Sequence, residues 1–133
     1  PDTTHDRAIT SGNGNVLFDA LKASAPDDQL DTIISGFFDA QAQALASSEH
    51  LADLETSHWE RVAARCEALC IDPRVLMWVR DVYPYYQSFY HQLVKRHGET
   101  RSFAEVVRGG ITYHAELARR VVDVFGRGAC NAR

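Results

Sequence analysis

Apolar side chains recur along the chain at the three- and four-residue spacing of an amphipathic α-helix. The clearest stripe follows residue 26 and consists of Leu30, Ile33, Ile34, Phe37, Phe38 and Leu45. The four residues from Ser24 to Asp27 resemble a capping box, with Pro26 in the first turn of the helix. The pattern therefore predicts a helix that begins near residue 26 and extends as far as Leu45.

The segments on either side predict two further helices. A short helix is expected after Asn15, with Val16, Leu17, Phe18 and Leu21 as its apolar residues, while the polar residues 1–14 are expected to form a flexible arm. A third helix is expected from Ser48 to the Asp72–Pro73 step. Its apolar face would consist of Leu51, Leu54, His58, Val62, Cys66 and Leu69.

The segment 73–97 is the most apolar part of the chain and predicts a fourth helix. Its apolar side chains would cover well over half of the circumference: Val75, Leu76, Val79, Val82, Tyr83, Tyr86, Phe89, Tyr90 and Leu93. A helix that is apolar on most sides is expected at the centre of a fold. Pro84 lacks the N–H that would bond to the carbonyl of Arg80, so a kink is predicted there.

The last predicted helix covers residues 103–125, is interrupted at Gly109 and Gly110, and precedes a short tail over 127–133. No segment shows the two-residue alternation of a strand, and no heptad repeat persists over several turns. The sequence therefore predicts an all-α domain of about five helices over residues 15–126, with the fourth helix at its centre.

Composition narrows the class of protein further. A chain of 133 residues with 45% apolar content is long enough for one domain with a core, and no apolar run approaches the length of a membrane span. Fourteen basic residues stand against eighteen acidic ones, so no concentrated positive surface for nucleic acid is expected. Three cysteines and a polar N-terminus without a signal-peptide pattern favour the cytoplasm.

Few residues suggest chemistry. Cys66 and Cys70 would lie one helical turn apart, as a metal or redox pair requires, but small buried thiols are the more common case. His58 and His114 fall on apolar stripes. A histidine there is either a neutral core residue, which is the common case, or a ligand of a metal or haem. No phosphate loop, nucleophile elbow or catalytic carboxylate pair is present, so the sequence predicts neither an enzyme nor a metal site.

Three segments resemble globin-coupled sensors. Residues 62–75 are similar to a motif of that family in length, apolar spacing and the proline near its end, here Pro73. Residues 30–39, with their aromatic pair, resemble an early helix of the family, and residues 103–125 resemble its last helix. The resemblance covers about 95 residues and implies a globin-like fold whose pocket would include Phe38 and Cys66. His58, Tyr86 and His114 are added as candidate pocket residues because they lie on apolar positions of their helices.

Two departures from the family pattern bear on its cofactor. Cys66 stands where the family has its haem-ligating histidine, and Phe38 stands where a tyrosine often contacts the bound gas. The loss of both polar groups makes the chain more similar to the haem-less, stressosome-type globin domains. Such domains form dimers through their terminal helices, which implies an interface here at Phe103, Val107, Ile111, Val121 and Phe125.

These observations predict a non-catalytic, dimeric regulatory domain without a cofactor, which relays a signal to a protein partner or to an output domain on its C-terminal side. The aromatic residues of segment 83–90, together with Trp78, could line a pocket for a small, flat or apolar ligand or form an interface, although core packing is the more common case. One alternative keeps haem, through Cys66, His58 or His114, and makes the domain a gas or redox sensor. The other is a small helical adaptor whose aromatic helix is core and whose charged faces bind another protein.

Overall fold

Helices dominate the structure, as the hydrophobic spacing predicts. The computed structural model describes residues 12–38, 41–78, 81–110 and 113–132. Within these residues the α-helices are α1 (Asn15–Lys22), α2 (Asp27–Gly36), α3 (Thr56–Ala68), α4 (Val82–His97), α5 (Phe103–Gly110) and α6 (Tyr113–Phe125). Two 3-10 helices (Glu49–Asp53 and Arg127–Ala129) and two strands, β1 (Val75–Met77) and β2 (Cys130–Ala132), complete the regular structure.

The chain divides into two compact units, and the boundary between them in the sequence follows Pro73. The first unit holds α1, α2 and α3, and the second holds the two strands and the remaining helices. The single domain over residues 15–126 stays a prediction. Most of the predicted N-terminal arm, residues 1–11, lies outside the described residues.

The core of the first unit is built from one apolar side of each of its helices. Leu17 and Leu21 of α1 are buried together with Leu30 of α2, and Trp59, Val62 and Cys66 are the buried residues of α3. Outside this core, Arg65 makes two hydrogen bonds to the carboxylate of Asp31, at 2.7 and 2.6 Å. Apolar burial and a paired arginine and aspartate therefore join α2 to α3.

The predicted second helix ends earlier than its hydrophobic stripe suggests. α2 stops at Gly36, and Leu45 lies in a non-helical segment with 73% of its surface exposed. The side chain of Asn13 donates to the carbonyl of Leu45 at 2.8 Å and accepts from the backbone N–H of Ser47 at 2.9 Å. These bonds pair the backbone of residues 45–47 with the turn before α1, so the helix cannot continue there.

The start of the third helix also differs from the prediction. Ser48 caps only the short 3-10 helix Glu49–Asp53, because its hydroxyl accepts from the backbone N–H of His50 at 3.1 Å. α3 itself begins at Thr56, after the buried Leu54. In its first turn, Nδ1 of His58 accepts from the backbone N–H of Glu55 at 3.2 Å. His58 therefore stabilises the start of this helix.

In the second unit a strand replaces the first part of the predicted fourth helix. β1 pairs in parallel with β2, so that Val75 lies opposite Cys130. α4 begins only at Val82, which places Pro84 in the first turn, where a missing N–H leaves no carbonyl unpaired. The predicted kink is therefore wrong, because only two helical residues precede Pro84 and no full turn lies upstream of it to bend.

The predicted central position of the fourth helix is wrong as well. Tyr86 is the only buried side chain among the sixteen residues of α4. The most buried residues of the second unit also include Val106 of α5 and Val121 of α6. α5 and α6 together occupy the predicted last helix, and residues 111–112 between them lie outside the described residues.

The two leucines at 45 and 54 offer a direct test of the first unit. Leu54 has no exposed surface, so Leu54→Ala should lower the free energy of unfolding by about 2–5 kcal/mol through lost burial and a cavity. Leu45→Ala, the matched control, should change it by less than about 0.5 kcal/mol. Urea unfolding followed by circular dichroism measures both, and equal losses would contradict this fold.

Candidate functional site

α4 is positioned at both ends by local backbone chemistry. Asp81 precedes the helix, and its carboxylate accepts from the backbone N–H of Tyr83 at 3.0 Å. Gly98 follows the helix in the left-handed conformation, with φ at 65°, which is a common way for a helix to end. The ends of α4 are therefore set by residues 81 and 98, whatever its side chains contact.

An aromatic cluster holds the inner side of α4. The ring of Tyr85 meets the ring of Tyr86 edge-on at 5.4 Å and lies parallel to Phe89 at 6.2 Å. The imidazole of His114 in α6 contacts Tyr85 at 4.5 Å, again edge-on. Burial raises the pKa of the Tyr86 hydroxyl. The cluster thus joins α4 to α6 through ring contacts.

A second set of rings joins α4 to α5. Phe103 meets Tyr83 at 6.0 Å and Tyr90 at 5.5 Å, in both cases edge-on. The hydroxyl of Tyr90 donates to the carbonyl of Arg101 in the connection between the helices, at 3.0 Å. Phe103 is therefore already engaged within its own unit.

Apolar side chains are concentrated on the surface of the second unit. Six of the eight exposed large apolar residues found among the described residues belong to it: Leu76, Trp78, Val82, Tyr83, Phe89 and Val94. Four of these six lie on α4, and Tyr83 has 65% of its surface exposed. We refer to Val82, Tyr83, Phe89 and Val94 as the α4 surface.

The geometry of a helix explains how the α4 surface arises. At 100° per residue, Val82 and Phe89 lie on one side of the buried Tyr86, whereas Tyr83 and Val94 lie on the other side. α4 therefore buries a narrow stripe and exposes apolar side chains on both flanks of it. The helix has no acidic residue, and its last turn carries Lys95, Arg96 and His97.

The five predicted pocket residues fall in both units. Phe38, His58 and Cys66 belong to the first unit, where Phe38 is half-buried in the turn after α2 and Cys66 is buried in α3. Tyr86 and His114 belong to the second unit, and the ring of Tyr85 contacts both. Of the five predicted pocket residues, the structure therefore brings together Tyr86 and His114, which both contact the ring of Tyr85.

The two neighbouring cysteines have different environments. Cys66 is buried inside α3, and burial raises the pKa of its thiol. α3 ends at Ala68, so Cys70 lies beyond the helix, exposed and in the left-handed conformation at φ 55°. The predicted helical spacing of the pair is therefore absent. No cluster of three or more His, Cys, Asp or Glu side chains suited to a metal occurs in the described residues.

The predicted dimer residues are partly used within their own unit. Val121 has almost no exposed surface, and Phe103, Val107 and Phe125 are half-buried. Ile111 lies outside the described residues. The stripe over α5 and α6 thus contributes to the core of the second unit, and an interface with another copy stays a prediction.

A shallow groove in the first unit runs between α1 and α2. It is lined by Val16, Asp19, Ala20, Ala23, Ser24, Ala25, Pro26, Gln29 and Ile33. None of the predicted pocket residues is among them. The groove is open to solvent, and its lining offers no concentration of polar side chains that would orient a ligand.

Comparisons with known proteins do not assign the chain. No protein-family model, no curated protein and no solved structure matches it. Among the described residues, no helix is both long enough and apolar enough to cross a membrane.

The sequence favours core packing over an interface for the aromatic residues of α4, although two signals point to the α4 surface. The apolar positions of α4 cover more of the circumference than one buried stripe requires, and the hydrophobic pattern assigns them all to the core. The segment Val82–His97 also lacks any acidic residue. Both signals fit a helix whose apolar side chains are only partly covered by the described residues.

Glu99 provides a test of the connection between α4 and α5. Its carboxylate accepts from Arg101 at 3.0 and 2.6 Å and from the backbone N–H of Thr100, which lowers its pKa from 4.5 to about 2. Because the folded pKa is lowered, the bonds stabilise the connection above pH 4.5 and are lost as the pH falls towards 2.

Carbon-detected NMR of the Glu99 carboxyl should show a midpoint near 2. Arg101→Ala should move the midpoint back towards 4.5, whereas Arg108→Ala, at an exposed arginine of α5, should leave it unchanged. A wild-type midpoint near 4.5 would show that the pair with Arg101 does not form.

Proposed function

We propose that this chain is a non-catalytic regulatory module that binds another protein through the α4 surface. The observation that supports this most directly is the exposure of Val82, Tyr83, Phe89 and Val94 on one helix. Large apolar side chains grouped on a surface are typical of interaction sites, and aromatic residues are enriched among interface residues.

The energetics favour the two aromatic rings as anchors. Tyr83 and Phe89 each have a substantial part of the ring in solvent, and covering that part would contribute roughly 1 kcal/mol for each side chain. Both rings also rest on neighbouring rings, Phe103 and Tyr85, so little side-chain freedom would be lost on binding. Val82 and Val94 extend the apolar area along the helix on its two flanks.

The proposal takes the module to work without haem. Cys66 stands where globin-coupled sensors have their haem-ligating histidine, but its thiol is buried, and burial raises its pKa. A side chain that packs inside the core of its unit presents no open side to an iron atom, so the residue does not suit that role. His58 already uses Nδ1 to accept from the backbone of Glu55.

Protein purified with haem supplied should therefore show no Soret absorption above that of a haem-treated control protein. Cys66→Ala, His58→Ala and His114→Ala should each leave the spectrum unchanged. A strong band that disappears in one of these variants would overturn the haem-free part of the proposal and favour the alternative, a haem-based sensor.

The binding part of the proposal can be tested before any partner is identified. Peptides selected from a random displayed library on the immobilised chain should bind wild type and lose about tenfold or more in affinity with the double variant Y83S/F89S. Fluorescence anisotropy of the labelled peptides measures this. The loss is expected because both anchors disappear while the buried Tyr86 is kept.

Leu45→Ser is the matched control, because it also replaces an exposed large apolar residue, but in the first unit. It should bind the selected peptides as wild type does. If Y83S/F89S also binds them as wild type does, with unchanged circular dichroism, then the α4 surface is not the binding site.

A further inference from the structure

The modest net charge of the chain conceals two units of opposite charge. Residues 1–73 contain thirteen acidic and four basic residues, whereas residues 74–133 contain five acidic and ten basic residues. The first unit therefore carries a formal charge of −9 and the second a charge of +5, which together give −4. The α4 surface belongs to the positive unit.

Positive charge also lies next to the apolar side chains on the helix itself. Val82, Phe89 and Arg96 are each seven residues apart, so they follow one another along the same side of α4, with about 10 Å between successive positions. Arg96 is exposed and has no acidic partner among the described residues. This side of the helix thus presents two apolar groups followed by a cation.

Charge in the last turn of a helix has an ordinary explanation, because cations there interact favourably with the helix dipole. That explanation does not account for the two apolar side chains that precede Arg96 on the same side. It also does not account for the excess of basic residues throughout the second unit. A ligand that carries both apolar groups and negative charge accounts for all three observations.

We infer that the α4 surface binds an acidic amphipathic segment of a partner protein. Apolar side chains of that segment cover Val82 and Phe89, and a carboxylate of the same segment pairs with Arg96. The inference rests on the proposed function and names the chemistry of the partner. The positive second unit adds attraction at longer range, which raises the rate of association at low salt.

Nucleic acid is the competing class of partner, since basic residues and exposed aromatic rings are also found in proteins that bind single strands. Two observations favour a protein segment. Val82 and Val94 offer no flat ring on which a base would stack. The side of α4 that carries Phe89 has one cation, whereas a phosphate backbone is followed by a track of several.

The test uses the full chain and three labelled probes. The first is a designed helical peptide of about 18 residues with leucines at i, i+3, i+4 and i+7 spacing, a few glutamates beside them and alanine or glutamine elsewhere. The second has the same leucines with lysines in place of the glutamates, and the third is an oligothymidine of about 20 nucleotides. Fluorescence anisotropy gives each affinity at about 50 mM and about 300 mM NaCl.

The glutamate peptide should bind most tightly and lose roughly tenfold in affinity at the higher salt concentration. Arg96→Glu should weaken it by about tenfold, and Arg96→Gln by less, because the pair is lost without a new repulsion. Arg108→Glu is the matched control, with the same change of charge at an exposed position of α5, and should cost less than about twofold. Circular dichroism checks that the variants fold. If Arg96→Glu does not fold, Arg96→Gln alone still tests the pairing.

The other outcomes overturn the inference in different ways. If the lysine peptide binds equally well and Y83S/F89S weakens both, the acidic preference is wrong and the proposed function stands. If neither designed peptide binds but library peptides do, the same conclusion follows. If oligothymidine binds more tightly than the glutamate peptide and Y83S/F89S releases it, the partner is nucleic acid and both proposals fail.

Discussion

Tyr86 is the one buried side chain of α4, and the exposure of the apolar residues around it follows from that narrow buried stripe. Tyr86 has 4% of its surface exposed, and its ring is contacted edge-on by Tyr85 and Phe89. Because α4 buries no second side chain to that extent, its attachment is a narrow stripe. The apolar residues on the two flanks of that stripe are consequently left in solvent.

The sequence predicts helices well where the hydrophobic stripe and the local end signals agree. α2 begins at Asp27, close to the predicted start, but the predicted capping box is wrong, because Pro26 is the N-cap and no side chain caps the helix. Val62 and Cys66 of α3 lie on the buried side as expected. The prediction fails at Leu45 and at Val75, where the chain instead pairs with the turn at Asn13 and with the strand at Cys130. These partners are more than 30 residues away in sequence, so local periodicity carries no information about them.

The candidate site shows a similar division. Tyr86 and His114, two of the predicted pocket residues, both contact the ring of Tyr85, whereas most of the aromatic residues of α4 are not buried as the pattern predicts. Hydrophobic spacing identifies which residues are apolar, but not whether another part of the chain covers them. Tyr83 and Tyr86 are three residues apart and equally apolar in the sequence, yet one is exposed and the other buried. The opposite charges of the two units became apparent only once the structure showed where to divide the chain.

Hydroxyl-radical footprinting of the intact chain tests the central claim most directly, because Tyr83 and Tyr86 can be compared within one peptide by mass spectrometry. The account predicts rapid oxidation of Tyr83, which is 65% exposed, and protection of Tyr86, which is 4% exposed, until the chain is unfolded in urea. Equal protection of both rings would show that α4 is a buried central helix. That result would contradict the α4 surface and the binding function proposed for it.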